Sequence, residues 1–408
     1  MAVTLRALQT VVPPTILIQE QVRDIFAAQP GLSRLAQRLV STSFNVSGID
    51  TRHTVISELT LDSDAVEPQF FDAKQQLLLV PGTRVRNELY IQEATKLFVE
   101  AGRLALAACS DIRPEDITHV VTVSCTGFYA PGPDYMLVRE LGLKASTQRY
   151  HLGFMGCYAS MPALRTAKQF VEADSNAVVL VVSAELCSLH LRTSNDPDTI
   201  VASSLFSDGA AAGIVSARPP LPGEKALGLD LFETVITPVG EGDMAWKIGD
   251  EGFEMILSTY VPHIIDAHIE SALAPLFARD ESITSQLEPA LEADADEVAA
   301  GGVTTLVAPV LTLAPPASLS QVIEHWAIHP GGRSILDKTE AKLALRADQL
   351  APSRETLRTN GNMSSATILF VMKAILDGPA TRDGERVCAM AFGPGLTVES
   401  GLMTVVEG

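Results

Sequence analysis

The chain reads as a layered α/β protein made of two halves, residues 1–220 and 221–408, each alternating strands with helices. Three observations predict this. THVVTVSC (118–125) and AVVLVVSAEL (177–186) are unbroken apolar, β-branched runs, as expected of strands covered on both faces. The stretch NELYIQEATKLFVEAGRLALAAC (87–109) carries its apolar residues at helical spacing. The alternation then starts again after about residue 220, and alternation of this kind builds sheets covered by helices. With 408 residues, 47% of them hydrophobic and 19% charged, the chain has ample apolar material for two packed halves.

In chain order, the strand at 118–125 leads through CTGFYAPGPDY toward GFMGCYASMPALR (153–165). There the spacing of Met161, Leu164, Phe170 and Val171 predicts a helix that begins at Cys157. GAAAGIVSA (209–217) closes the first half. In the second, residues 251–277 read as a helical stretch interrupted near Pro262, and VIEHWAIHPGG (322–332) as a strand entering a glycine turn. RSILDKTEAKLAL follows as a helix. NMSSATILFVMKAIL (362–376) opens with the polar residues that suit a helix N-terminus. The end of the chain, RVCAMAFGPGLTVESGLMTVV, reads as two strands around a glycine turn. Residues 278–316, acidic and then rich in Ala, Pro and Val, break the pattern. They read as an insertion, either a surface excursion or a lid or oligomer contact.

Composition excludes several classes. A net charge of −19 repels nucleic acid as a bulk partner. No apolar run reaches the length of a membrane span, and the N-terminus lacks the pattern of a secretory signal, which predicts a soluble, cytoplasmic protein. The five cysteines are widely and irregularly spaced with no CxxC, against a disulfide framework. The one HxxxH spacing among the eight histidines, His325 and His329, falls in a run read as a strand, where residues four apart stand about 13 Å apart, so no metal is expected.

The chemistry concentrates at three polar residues. Cys157 follows Gly156 at a helix start, where unpaired N–H groups favour thiolate; the bland alternative is a buried, inert thiol. His329 ends an apolar strand just before Pro330, Gly331 and Gly332, a turn open enough for a substrate backbone to approach, although a satisfied core histidine would look similar. Asn362 sits at another strand-to-helix corner, where it is also a natural N-cap. Together they supply a thiolate, an imidazolium to steady it and an amide donor for an oxyanion. No carboxylate base accompanies them. That absence fits a carbanion made by loss of carbon dioxide rather than by proton removal.

In this order and spacing, GFMGCYAS, SLFSDGAAA, WAIHPGG, NGNMSSA and AFGPGLTVE resemble the type III polyketide synthases, the chalcone and stilbene synthase-like branch of the thiolase superfamily. The resemblance spans about residue 10 to residue 408, and its texture is closer to bacterial members. It implies the αβαβα layered sandwich of the thiolases, with two duplicated halves in each subunit of a homodimer. Cys157 would accept a starter from an acyl-CoA, and His329 and Asn362 would promote decarboxylation of malonyl-CoA. Phe206 would be the gatekeeper aromatic between coenzyme A tunnel and cavity, and Thr126 would line the substrate path. Gly331 and Gly332 would meet the coenzyme, while Gly393, Pro394 and Gly395 would shape the space where the chain cyclises. Coenzyme A thioesters would be the substrates, with no other cofactor.

Departures from the plant pattern bear on product. Met255 replaces the second gatekeeper phenylalanine, His190 falls near a cavity threonine, and Ala130 stands where plant enzymes send a methionine across the dimer interface. Thr42 and Val46 replace the basic residues that hold coenzyme A phosphates, which leaves Arg34, Arg38, Arg52 and Arg333 as candidates. The expected activity is iterative condensation of malonyl-CoA onto a starter, with release of a cyclised pyrone or phenolic product; a fatty acyl starter would give an alkylpyrone or alkylresorcinol. The alternatives are a single-condensation ketoacyl or hydroxymethylglutaryl-CoA synthase-like enzyme, or a silent acyl-CoA-binding protein.

Overall fold

A computed structural model describes residues 2–286 and 316–408. Their centre is a nine-stranded sheet in the order His325–Ile328, Arg386–Gly393, Thr397–Glu407, Lys225–Ile236, Thr4–Val11, Asp208–Ser216, Val178–Leu186, His119–Ser124, Gln148–Gly153. The same pairing sequence occurs twice. His119–Ser124 lies parallel to Val178–Leu186, which is antiparallel to Asp208–Ser216, itself antiparallel to Thr4–Val11. His325–Ile328, Arg386–Gly393, Thr397–Glu407 and Lys225–Ile236 repeat that order and those directions. Antiparallel pairing of Thr4 with Gly228 and Leu5 with Leu227 joins the two sets.

The apolar runs dictate the layering. Strands such as Val178–Leu186 are buried at every position, so both faces must be covered. Helix Thr83–Ala108 packs Ala94, Phe98, Ala101 and Ala105 over one outer face. Helices Val261–Phe277 and Arg333–Lys342 pack over the other. Between the sheet halves lie Ser160–Ala173 and Thr367–Leu376, whose Leu164, Ala167, Ile368 and Met372 meet strands of both. A helix in such a place must be apolar nearly all round, and Ile368, Leu369, Val371, Met372 and Ile375 make it so. The result is the αβαβα sandwich. Among the described residues, no helix is long and apolar enough to cross a membrane.

Most elements lie within a few residues of their sequence-based bounds, with exceptions. The stretch 251–277 is not one helical stretch: Gly252–Leu257 is a strand paired with Met244–Gly249, and the helix runs from Val261 to Phe277. Gly252 takes φ +109°, closing the hairpin, and Pro262 sits in the helix's first turn, where its missing N–H costs nothing. The helix near Cys157 starts at Ser160, after a turn. Of the irregular stretch 278–316, residues 287–315 lie outside the described residues.

Leu164→Ala should cost about 2–5 kcal/mol of stability, because the side chain is fully buried between both sheet halves. Urea unfolding checks this. A loss under about 1 kcal/mol would mean that the middle layer is not the shared core.

Candidate active site

The two middle helices begin at one place. The Ser160 hydroxyl donates to the Ser365 carbonyl at 2.6 Å, just before the helix that starts at Thr367. The residues leading into both helices therefore share a wall. A cavity of about 580 Å³ opens there, and Cys157, His329, Asn362, Phe206, Met255, Thr126, Gly331 and Pro394 all line it.

Cys157 is carried by a turn that few residues allow. Gly156 has φ +84°, and a Cβ on it would lie 2.4 Å from Pro394 Cδ. Only a bare backbone lets the Gly393–Gly395 turn close against the residue before Cys157. His329 extends its strand by one residue, its N–H donating to the Met390 carbonyl at 2.8 Å, and Gly331 N–H donates back to the His329 carbonyl at 2.9 Å. Asn362 is fixed on both sides: its N–H donates to Leu205 O at 2.9 Å, and its carbonyl accepts from Ser207 N–H at 2.9 Å. The corner foreseen as strand-to-helix instead joins helix Ala347–Asn360 to the segment leading into Thr367–Leu376, and there its Oδ1 accepts from Ser364 N–H at 2.9 Å, an Asx turn rather than a helix cap. That bond turns the amide nitrogen toward the cavity, where its partner is the Gly331 carbonyl at 3.4 Å.

Burial sets the protonation states. Desolvation pushes the Cys157 thiol up to about 12, against hydrogen bonds from Ser364 and Asn362 that favour the thiolate. His329 is pushed down to about 3 by burial, and neither ring nitrogen has a hydrogen-bond partner. Burial thus favours the uncharged form of both groups. The helix foreseen at Cys157 starts three residues later, at Ser160, so desolvation works against the thiolate that a helix start at the sulfur would favour.

A carboxylate lies behind the wall. Glu185, fully buried, accepts from Cys125 N–H at 2.9 Å, the Thr126 hydroxyl at 3.0 Å and the Ser365 hydroxyl. Cys125 Sγ donates to its Oε1 at 3.2 Å and lies 3.4 Å from Ser364 Oγ. Burial raises the carboxyl, opposed by those hydrogen bonds. Among the described residues no carboxylate lines the cavity, but Glu185 stands in the layer behind it. A lone Glu in AVVLVVSAEL was the available signal, since a charge in a doubly buried strand needs partners.

The remaining candidates separate. Phe206 is buried, and its carbonyl accepts from Arg52 Nη1 at 2.8 Å. Arg52, a candidate for phosphate, is fully buried, also holds the Ser203 carbonyl and packs over the Phe44 ring. Burial pushes it down to about 10, and it is a strut for Phe206, away from solvent. His190 does not line the main cavity. Its Nδ1 accepts from Phe253 N–H at 3.0 Å and its Nε2 donates to the Thr126 carbonyl at 2.8 Å, a neutral tautomer tying the hairpin to the loop after Ser124. Gly393 gives way to the Tyr158 ring, and Gly395, at φ +74°, donates to the Met244 carbonyl. Gly332 belongs to an outer groove of about 980 Å³ that shares Leu257, Gly331 and Ile335 with the cavity. Arg333, Lys338, His263 and Val46 border that groove, whereas Arg34 and Arg38 are exposed outside its lining. Sequence reasoning missed Trp246, which shares a hairpin register with Met255 and donates from Nε1 to the Cys125 carbonyl at 2.9 Å.

Comparison with known proteins agrees with this fold. The family model for the N-terminal domain of chalcone and stilbene synthases matches residues 2–219, and that for the C-terminal domain matches residues 311–407. Among solved structures, the C-terminal type III polyketide synthase domain of Steely1 from Dictyostelium is 25% identical with a TM-score of 0.79, each chain covered in full. PKS-I from the brown alga Ectocarpus siliculosus is 23% identical with a TM-score of 0.80, over 100% of this chain and 99% of that one. The 1,3,6,8-tetrahydroxynaphthalene synthase of Streptomyces coelicolor A3(2) is 24% identical with a TM-score of 0.76, over 99% and 100%. The chain thus belongs to the chalcone and stilbene synthase family and is a type III polyketide synthase, an enzyme of the acyltransferase kind.

Proposed function

We propose that this enzyme loads an acyl group from an acyl-CoA onto Cys157, extends it with units from malonyl-CoA, and releases a cyclised pyrone or phenolic product. The observation that carries the reading is the grouping of Cys157, His329 and Asn362 on one cavity wall, with both imidazole nitrogens unpaired. Loading breaks the thioester C–S bond to coenzyme A and forms one to Sγ, the thiol proton leaving with the coenzyme thiolate. His329 takes that proton first, since its free nitrogen faces the same cavity and no other imidazole lines it. In extension, malonyl-CoA loses carbon dioxide and its electron pair moves onto the thioester oxygen. The Asn362 amide N–H and the single N–H of a neutral His329 imidazole donate to that oxygen, and a dry cavity strengthens both contacts. The enolate carbon then attacks the Cys157 thioester, which returns the thiolate and lengthens the chain by two carbons.

The outer groove supplies the coenzyme path. It joins the cavity at Gly331 and Ile335, and Arg333 and Lys338 stand along it as positive charge for phosphates. Met255, a flexible thioether in place of a flat ring, favours a linear fatty acyl starter and hence an alkylpyrone or alkylresorcinol. We read the protein as a homodimer acting in the cytoplasm. Strand Gln148–Gly153 ends the sheet with one backbone edge unpaired among the described residues, and Phe128 and Tyr150 are about 40% exposed (40% and 39%).

Purified enzyme given acyl-CoA starters and labelled malonyl-CoA should release coenzyme A and form products holding more than one malonyl unit; neither would refute the assignment. Cys157→Ala should abolish condensation and retain malonyl-CoA decarboxylation. Asn362→Ala should slow decarboxylation by about 100- to 1,000-fold, and a wild-type rate would remove its role. Iodoacetamide should modify Cys157 more slowly at pH 7 than it modifies free cysteine, with a rate that climbs steadily with pH. A rate constant across pH 6 to 8, about the ordinary imidazole range, would mean that His329 already holds the proton.

A further inference from the structure

We propose that the tail of a linear acyl starter runs from Cys157 through a second cavity and past Leu191 into a slot beneath residues 55–79. This rests on the acyl-CoA loading described above and assigns where the tail lies. The catalytic cavity shares Cys187, Phe206, Trp246 and Met255 with a neighbour of about 350 Å³, so those four side chains form a partition with space on both sides. The neighbour shares Leu191 in turn with a third cavity of about 480 Å³. That last space is narrow and is walled by Leu17, Val22, Phe26, Phe70, Leu78 and Leu79, among others.

Its chemistry selects the occupant. Ser188 is its one polar wall residue, and that hydroxyl is already committed, donating to Asp208 at 2.6 Å and lying 2.7 Å from Thr54 Oγ1. Water there would find too few partners, and phosphate or a polyketide carbonyl would find none. A narrow apolar slot accepts a methylene chain more readily than a ring. The junction is also held firmly. Arg86 is fully buried, donates from Nη1 to the carbonyls of Leu189 and Leu191, and packs over the Phe70 ring. It fixes the turn carrying Leu191 between the second and third spaces, so this side chain is a gate whose size sets the accepted tail length.

The test is a starter series from butyryl-CoA to palmitoyl-CoA, assayed by coenzyme A release with malonyl-CoA. In the wild-type enzyme, kcat/KM should rise by up to roughly fourfold per added methylene until the slot is filled. Leu191→Trp blocks the junction and Val22→Trp fills the far slot. Each should lower the ratio of palmitoyl to butyryl kcat/KM by roughly tenfold or more, while thermal melting confirms that the variants fold. Should Leu191→Trp fail to fold, Val22→Trp decides alone, since it lies on a peripheral helix. An unchanged ratio in a folded variant overturns the proposal, as does a wild-type enzyme confined to short starters. Absence of turnover with every starter would instead refute the loading reaction itself.

Discussion

The site depends on the meeting of two helix N-termini in the middle layer. Each half of the sheet sends one helix into the shared core, and the contact of Ser160 with Ser365 marks where they start together. A residue just before either helix is thereby placed beside a residue just before the other. This is why Cys157 and Asn362, about two hundred residues apart in sequence, face one cavity. Both helices also aim their positive ends at the region where negative charge would form. His329 arrives by another route, at the end of the strand parallel to Arg386–Gly393.

Dryness has two opposite consequences there. It disfavours charge on the resting groups, raising the thiol and lowering the imidazole. It also makes each donated hydrogen bond more effective once charge appears, because little solvent competes. The cost of creating a charge and the strength of its stabilisation therefore come from the same low-polarity surroundings. Glu185 fits this picture as an anion kept behind the wall, spent on Cys125, Thr126 and Ser365 rather than offered to a substrate.

Much of this was legible in the residues. Doubly buried strands announce themselves as apolar runs, and Cys157, His329 and Asn362 each sit at a junction marked by glycine or small polar residues. What sequence could not supply was partnership across the fold. Nothing local distinguishes Arg52, a buried strut for Phe206, from an arginine free to meet phosphate. His190 does not reach the main cavity, because two backbone hydrogen bonds, one on each ring nitrogen, hold it against the neighbouring one. The strand Gly252–Leu257 was hidden because FEMIL suits either structure, and only its partner Met244–Gly249 decides.

That hairpin stands outside the nine-stranded sheet, tethered by the Trp246 indole to Cys125 and by Phe253 to His190. It carries Met255 and Trp246 to the wall of the main cavity, whereas Cys157, His329 and Asn362 are anchored to the interior. Inheritance can therefore act on the two separately. Mutations can redraw the mould in which the ketide bends while the machinery that forges carbon–carbon bonds is passed on intact, giving lineages a way to explore new metabolites at little risk to the chemistry.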